Sequence, residues 1–270
     1  MDQFIATLLE LPIAASFFLL LAGVSRALGA IFGLWGLYFI LGPAVIVRTV
    51  LALILSAPMI FAQIDSYVAL SEETQRFALL TIPLREFIIG FAIGLLMSLP
   101  FFAIMGAALV IEQYRGDFSP GIEAPENAQV GSYGALNMIM VLFIFVELGG
   151  FMILVATLYD SYALIEPGVP GLSFPAGFSA ALAGILQNVF VTLIAFALPV
   201  LLLLMLLEFA INMASRLADQ IQLPSIDFLA KNLALLFAMP VLVLALSRAM
   251  QATFDNAPPV LPLLAEIIGL

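Results

Sequence analysis

The apolar runs of this sequence are long enough to cross a membrane, and that length restricts the fold more than any other feature. The run from Ser179 to Leu207 contains no charged residue, whereas about 20 helical residues suffice to span the hydrocarbon. Only helices and closed barrels satisfy the backbone there, and the runs lack the alternation of barrel strands. With 64% hydrophobic and 10% charged residues, the chain is predicted to be an all-α polytopic membrane protein.

Several function classes are disfavoured by residues that the chain lacks. It has no Cys and no His, so thiol catalysis, haem ligation and the usual zinc sites are not expected. We predict no enzyme, no cofactor and no metal site. The net charge of −10 makes nucleic acid an unsuitable partner. The N-terminus has two acids and no base before Arg26, so we expect no cleaved signal peptide.

Charged residues, Pro and Gly divide the apolar runs into predicted helices. Arg26 and Arg48 are isolated, and we interpret them as anchors at helix boundaries. We expect a break at Pro199, a helix end at Pro224 and an interruption at the pair Gly149–Gly150. The chain is thus predicted to consist largely of helical hairpins.

Gly90 and Gly94 form a GxxxG motif within the long run that begins near Phe87. This spacing lets two helix backbones approach closely in lipid. The motif is common in membrane helices, so it predicts packing and carries no function by itself.

The segment from Glu112 to Tyr133, called the loop segment below, separates two apolar runs. It holds three Gly, two Pro, one Arg and four carboxylates, a composition that stops helices. Loops of this length in compact proteins are usually functional or disordered. Two interpretations remain open: an aqueous connector, or a structured insert that lines or obstructs a pore.

The last third of the chain places charges within apolar helices. Glu208 opens a polar stripe that includes Arg216, and Asp227 precedes Lys231 by four residues, a favourable order on a helix. Each such charge costs about 2.5–3.5 kcal/mol on insertion scales, so partners are required. A relay of Glu147, Glu208 and Lys231, ion pairs within a hairpin or between subunits, and snorkelling at helix ends are the alternatives.

At this point the sequence resembles a known family, the T component of the type III secretion export apparatus, equivalent to the flagellar R component. The most specific piece is VIEQYRG at Val110–Gly116. It is similar to the motif of the family, which is an acidic residue followed by x-Q-R-G. The order and spacing of further pieces support the resemblance: Arg26, Gly29, Pro43, Val47–Leu53, Pro58, Arg85-Glu86, Ile88–Gly94, Pro100-Phe101, Gly149-Gly150, Ser161-Tyr162, Pro167, Glu208–Ala210, Ser215-Arg216, Gln220 and Lys231. Two positions depart from it: Tyr114 separates Gln113 from Arg115, and Ile221–Pro224 replaces Leu-Asn-Val-Phe.

The resemblance implies a subunit of a helical hetero-oligomeric export gate in the bacterial inner membrane. One copy would assemble with several copies of the R and S components and with the other membrane components, in contact with lipid. Unfolded protein substrates would pass through the pore. Residues 1–178 would correspond to an R-like part and residues 179–270 to an S-like hairpin, within a single membrane domain. The alternative is a stand-alone secondary transporter or ion-conducting protein that uses Glu147, Glu208 and Lys231.

The resemblance also implies two groups of site residues. The loop segment, at about residues 112–133, resembles the plug that obstructs the closed pore. Its candidate residues are Glu112, Gln113, Arg115, Gly116, Ser119, Pro120, Gly121, Glu123, Pro125, Asn127 and Gln129. The candidates for polar contacts within the hairpin or between subunits are Arg85, Glu86, Glu208, Arg216, Gln220, Asp227 and Lys231.

Overall fold

The computed structural model of the chain describes residues 13–41, 44–62, 78–115, 122–123, 129–165, 178–216 and 223–256. Within these ranges the chain forms eight helices and one pair of two-residue strands. The elements in order are α1 (Ile13–Gly33), α2 (Gly36–Leu41), α3 (Val45–Ala62), α4 (Ala78–Arg115), β1 (Ile122–Glu123), β2 (Gln129–Val130), α5 (Ser132–Glu147), α6 (Gly150–Leu164), α7 (Phe178–Ser215) and α8 (Leu223–Asn256).

Four of the described helices are long and apolar enough to cross a bilayer. The candidate spans are Val45–Ala62, Thr81–Arg115, Leu182–Ser215 and Asp227–Arg248, and the number rises to five if the broken pair α5 and α6 forms one span. The prediction of an all-α polytopic membrane protein is therefore confirmed. The short antiparallel pair β1–β2 is a local exception inside the loop segment.

The chain forms two compact units. The first comprises Met1–Ser98, Gly149–Leu182 and Pro258–Leu270, and the second comprises Leu99–Leu148 and Ala183–Ala257. Helices α4 and α7 therefore contribute residues to both units. The division at residue 178 into an R-like and an S-like part is a different partition of the chain, and it stays a prediction.

In the first unit, α1 and α4 pack with their backbones in contact. Gly29 and Gly33 of α1 face Gly90 and Gly94 of α4, and a Cβ added at any of the four would lie less than 3.0 Å from a backbone atom of the facing helix. The close approach predicted from the GxxxG motif is confirmed. Helix α1 also packs against α3 and α6, so it lies at the centre of this unit.

The interpretation of Arg26 as a boundary anchor is wrong. Helix α1 continues through it to Gly33, and its side chain is completely buried against the carboxylate of Glu86, with Arg26 Nε and Nη2 each 2.6 Å from Glu86 Oε2. Its guanidinium also donates to Ser161 Oγ at 3.2 Å and to the carbonyl of Ile165 at 3.1 Å, and it lies 4.1 Å from the ring centroid of Tyr162. One Arg therefore joins α1, α4 and α6.

Arg48 lies in the first turn of α3, so it is near a helix boundary as expected, but its side chain is buried and is not an exposed anchor. Only 7% of it is exposed, and its guanidinium lies 4.4 Å from the ring centroid of Tyr38 and 5.7 Å from that of Phe32. Cation–π contacts of this kind compensate for part of the hydration that a buried guanidinium loses. Both arginine side chains are thus buried within the first unit.

Two proline expectations are wrong, whereas the glycine interruption is confirmed. Pro199 lies inside α7, because a membrane helix tolerates one missing amide donor when local geometry adjusts. Pro224 does not end a helix: α7 ends at Ser215, and Pro224 is the second residue of α8, where a missing N–H costs nothing. The break falls between α5 and α6, with Gly149 at a φ of 72°, a conformation that favours glycine.

We predict that Glu86→Ala destabilises the protein by about 3–5 kcal/mol, because it leaves the buried guanidinium of Arg26 without its counter-charge. Unfolding of the detergent-purified protein measures this loss. Leu84→Ala is the matched control, since Leu84 lies on the same helix and is 59% exposed. Equal stability of the two variants would contradict the role given to the ion pair.

Candidate functional site

The loop segment is shorter in the structure than its composition indicated. Helix α4 continues through Glu112 and Gln113 to Arg115, and α5 begins at Ser132. Between the two helices, β1 and β2 pair antiparallel, with Ile122 opposite Val130 and Glu123 opposite Gln129. The other predicted loop residues lie outside the described residues: Gly116, Ser119, Pro120, Gly121, Pro125 and Asn127.

The carboxylate of Glu112 joins the end of α4 to the start of α5. Its Oε2 accepts a hydrogen bond from the Gly131 amide at 3.1 Å, and its Oε1 accepts one from the Gly134 amide at 2.6 Å. These amides belong to the first turn of α5, where N–H groups lack helical partners and the helix dipole favours a negative charge. We call Glu112, Gly131 and Gly134 the neck of the loop.

The residues next to Glu112 face different environments. Gln113 is exposed, whereas Arg115, the last residue of α4, is only 8% exposed. A positive charge in the last turn of a helix is favoured by the helix dipole. Of these two residues close to the neck, the charged Arg115 is therefore buried and the uncharged Gln113 is exposed.

A second group of polar contacts lies in the same unit and begins at Tyr114, two residues after Glu112. The hydroxyl of Tyr114 donates to Glu208 Oε2 at 2.6 Å, and Lys231 Nζ lies 3.2 Å from the same oxygen and 2.8 Å from Asp227 Oδ2. Lys231 also lies 5.2 Å from the ring centroid of Tyr114. These four residues, called the polar cluster below, connect α4, α7 and α8.

The structure brings together only part of the predicted contact set. Arg85 and Glu86 lie in the first unit, where Arg85 Nη1 is 3.4 Å from Glu86 Oε1. Arg216 is exposed directly after α7, and Glu147 is exposed at the end of α5. Gln220 lies outside the described residues.

Three residues that take part in these polar contacts are not among the site residues predicted from the sequence. Tyr114 was read only as an interruption of a motif, although a hydroxyl near the end of an apolar helix signals a polar partner. Gly131 carried no signal beyond its type. Arg26 had a signal, namely an arginine inside an apolar run, which requires a partner when the helix continues through it.

The arrangement defines a class of protein: a polytopic α-helical membrane protein whose organised polar features are a loop between long helices and a cluster of ion pairs. Among the described residues, no group of three or more Asp or Glu side chains is placed to hold a metal ion. The chain belongs to the family of bacterial export proteins, family 1, which matches residues 17–257. The resemblance stated from the sequence is therefore confirmed.

Individual relatives agree with the family. The chain is 27% identical to Yop proteins translocation protein T of Yersinia pestis over 208 residues, covering 72% of this chain and 76% of that protein. It is 27% identical to secretion system apparatus protein SsaT of Salmonella typhimurium, covering 57% and 60%. It is 24% identical to flagellar biosynthetic protein FliR of Escherichia coli, covering 72% of each chain.

These similarities establish the coarse function. The protein is a component of a type III secretion or flagellar export apparatus. Together with its apolar helices, family membership identifies it as a multi-pass protein of the bacterial inner membrane.

We predict that Lys231→Met lowers the free energy of unfolding of the protein by roughly 2 kcal/mol. The change leaves two carboxylates together without a cation, and the cost is below that of a fully buried pair because the Glu208 side chain is 39% exposed. Unfolding in mild detergent measures it. Arg248→Met is the control, since Arg248 is an exposed cation on the same helix; equal effects would show that Lys231 has no special role.

Proposed function

We propose that this chain is a non-enzymatic structural and gating subunit of the export gate. It lines the pore through which unfolded secretion substrates pass, and its loop segment plugs the pore in the closed state. One copy works with several copies of the R and S components and with the other membrane components of the apparatus.

The geometry of the loop segment carries this proposal. A hairpin of two short strands sits on a neck in which a carboxylate from α4 holds the first turn of α5. An aqueous connector between two helices needs no buried attachment at its base. A loop that obstructs a pore does, because a fixed base limits the positions that the loop samples.

The polar cluster also supports this proposal, because it holds the last turn of α4. Tyr114 is followed by one residue before the loop leaves the helix, and it is bonded to the carboxylate of Glu208 on α7. Helices α7 and α8 therefore support, through Glu208 and Lys231, the helix end from which the loop starts. The exposed part of Glu208 remains accessible to a neighbouring subunit.

The stand-alone transporter receives less support. A relay through Glu147, Glu208 and Lys231 needs a chain of hydrogen bonds or ion pairs, and within the described residues Glu147 makes none with the other two. Purification in mild detergent separates the two functions, because an export-gate subunit co-purifies with partner chains whereas a stand-alone transporter is active by itself.

We predict that deletion of Ser119–Gln129 makes the assembled pore leaky to ions and small molecules. The deletion removes the part of the loop that would obstruct the pore and leaves both helix ends. Conductance of the purified assembly in planar bilayers measures the leak, and co-purification of the partner components verifies assembly.

A replacement of the same residues by a Gly/Ser segment of equal length is the matched control for loop length. The replacement is expected to seal less well than the natural loop, because it lacks the strand pair. A fully assembled deletion variant with unchanged conductance would show that the loop segment is a connector and not a plug.

A further inference from the structure

The neck fixes one arm of the loop much more firmly than the composition of the loop suggests. Glu112 is 5% exposed, so its carboxylate has left water almost completely. Two backbone amides replace that hydration, and hydrogen bonds to a charged acceptor are stronger than those between neutral groups. The carboxylate loses this compensation whenever the first turn of α5 moves away from α4.

The contact between Glu112 and Gly131 depends on the absence of a side chain at Gly131. A Cβ at this position would lie 2.5 Å from Glu112 Cδ and 2.7 Å from Oε2, which is closer than non-bonded atoms approach. Gly131 is the N-cap of α5, and α5 has no cap from an N-cap side chain. Glu112 therefore supplies from α4 the cap that most helices take from their own first residue.

The neck is continuous with the strand pair of the loop. Strand β2 ends at Val130, and the next residue along the chain is Gly131, whose amide Glu112 holds. Val130 is paired with Ile122. Because Val130 and Gly131 are consecutive residues, a contact that holds Gly131 in place also restrains the strand pair.

We propose that Glu112 is the positioning residue that holds the loop in its closed position. By fixing the return arm of the loop to the last turn of α4, it keeps the hairpin in place, and movement of the hairpin away from the pore breaks the contact between Glu112 and the two amides. This inference rests on the proposed plug function of the loop segment.

Single substitutions in the assembled export gate test the proposal. Glu112→Ala removes both acceptors, Glu112→Gln keeps the shape and one acceptor, and Gly131→Ala keeps the carboxylate but displaces it. Hydrogen bonds to a charged group are strong enough that their loss raises the open fraction about tenfold or more. We expect leak conductance to increase in the order Glu112→Gln, then Glu112→Ala, with Gly131→Ala similar to Glu112→Ala.

Matched controls come from exposed positions close to the neck. Val110→Ala changes a side chain of α4 that is 40% exposed and lies two residues before Glu112, and Ser132→Ala changes an exposed side chain next to Gly131. Both variants should conduct like the unmodified assembly. Partner co-purification is measured for every variant, so that leak is compared only between complete assemblies.

A reversible disulfide between positions 112 and 131 distinguishes a positioning role of Glu112 from a general effect on stability. The chain contains no Cys, so the double variant Glu112→Cys and Gly131→Cys introduces the only two thiols of this chain. Because a Cβ at Gly131 lies 2.5 Å from Glu112 Cδ, the two Cβ atoms are about 5 Å apart or less, which a disulfide or a short thiol cross-linker bridges. The assembly should leak under reduction and seal again on oxidation.

The outcomes distinguish this inference from the plug function. If deletion of Ser119–Gln129 causes leak but Glu112→Ala and the reduced double variant stay sealed, the positioning role is wrong and the plug function stands. If the assembly with the deletion does not leak, the proposed plug function is wrong, and the positioning role that rests on it is wrong as well. If all neck variants lose their partner components, Glu112 serves assembly, and the positioning role is also overturned.

Discussion

A charge inside an apolar helix bundle must be matched by another charge or by backbone amides, and this requirement organises the structure. Arg26 meets Glu86, Lys231 meets Glu208 and Asp227, and the carboxylate of Glu112 meets two amides of α5. Three of these contacts join elements that are distant in sequence, and the pair of Asp227 and Lys231, four residues apart on α8, is the exception.

The three matches serve different purposes. The pair of Arg26 and Glu86 is completely buried, and its further bonds to α6 hold three helices of the first unit in one arrangement. The polar cluster and the neck both lie in the second unit and attach to the last turn of α4. The polar cluster supports the end of α4, from which the loop starts. The neck fixes Gly131, to which the loop returns, so the loop is restrained at its base.

The motif that carried the family resemblance also has a physical explanation. The acidic residue of VIEQYRG is Glu112, which caps α5, and Tyr114, which separates this sequence from the usual pattern, is bonded to Glu208. A departure from the family pattern thus coincides with a contact of this chain. A sequence motif near a helix end becomes interpretable when the amides that it must satisfy are identified.

The sequence by itself determined the fold class, the existence of the long apolar helices, the close glycine contact and the break at Gly149, because these depend on local composition and spacing. It also indicated that Glu208 and Lys231 need partners, but it assigned the same requirement to Glu147 and Arg216, which are exposed, and not to Arg26. Tertiary structure decided which partners the buried charges have: Arg26 is buried against Glu86, and Glu112 binds two amides of α5. It also decided that the helix continues through Pro199. Such choices depend on contacts between residues far apart in the chain, and periodicity carries no information about them.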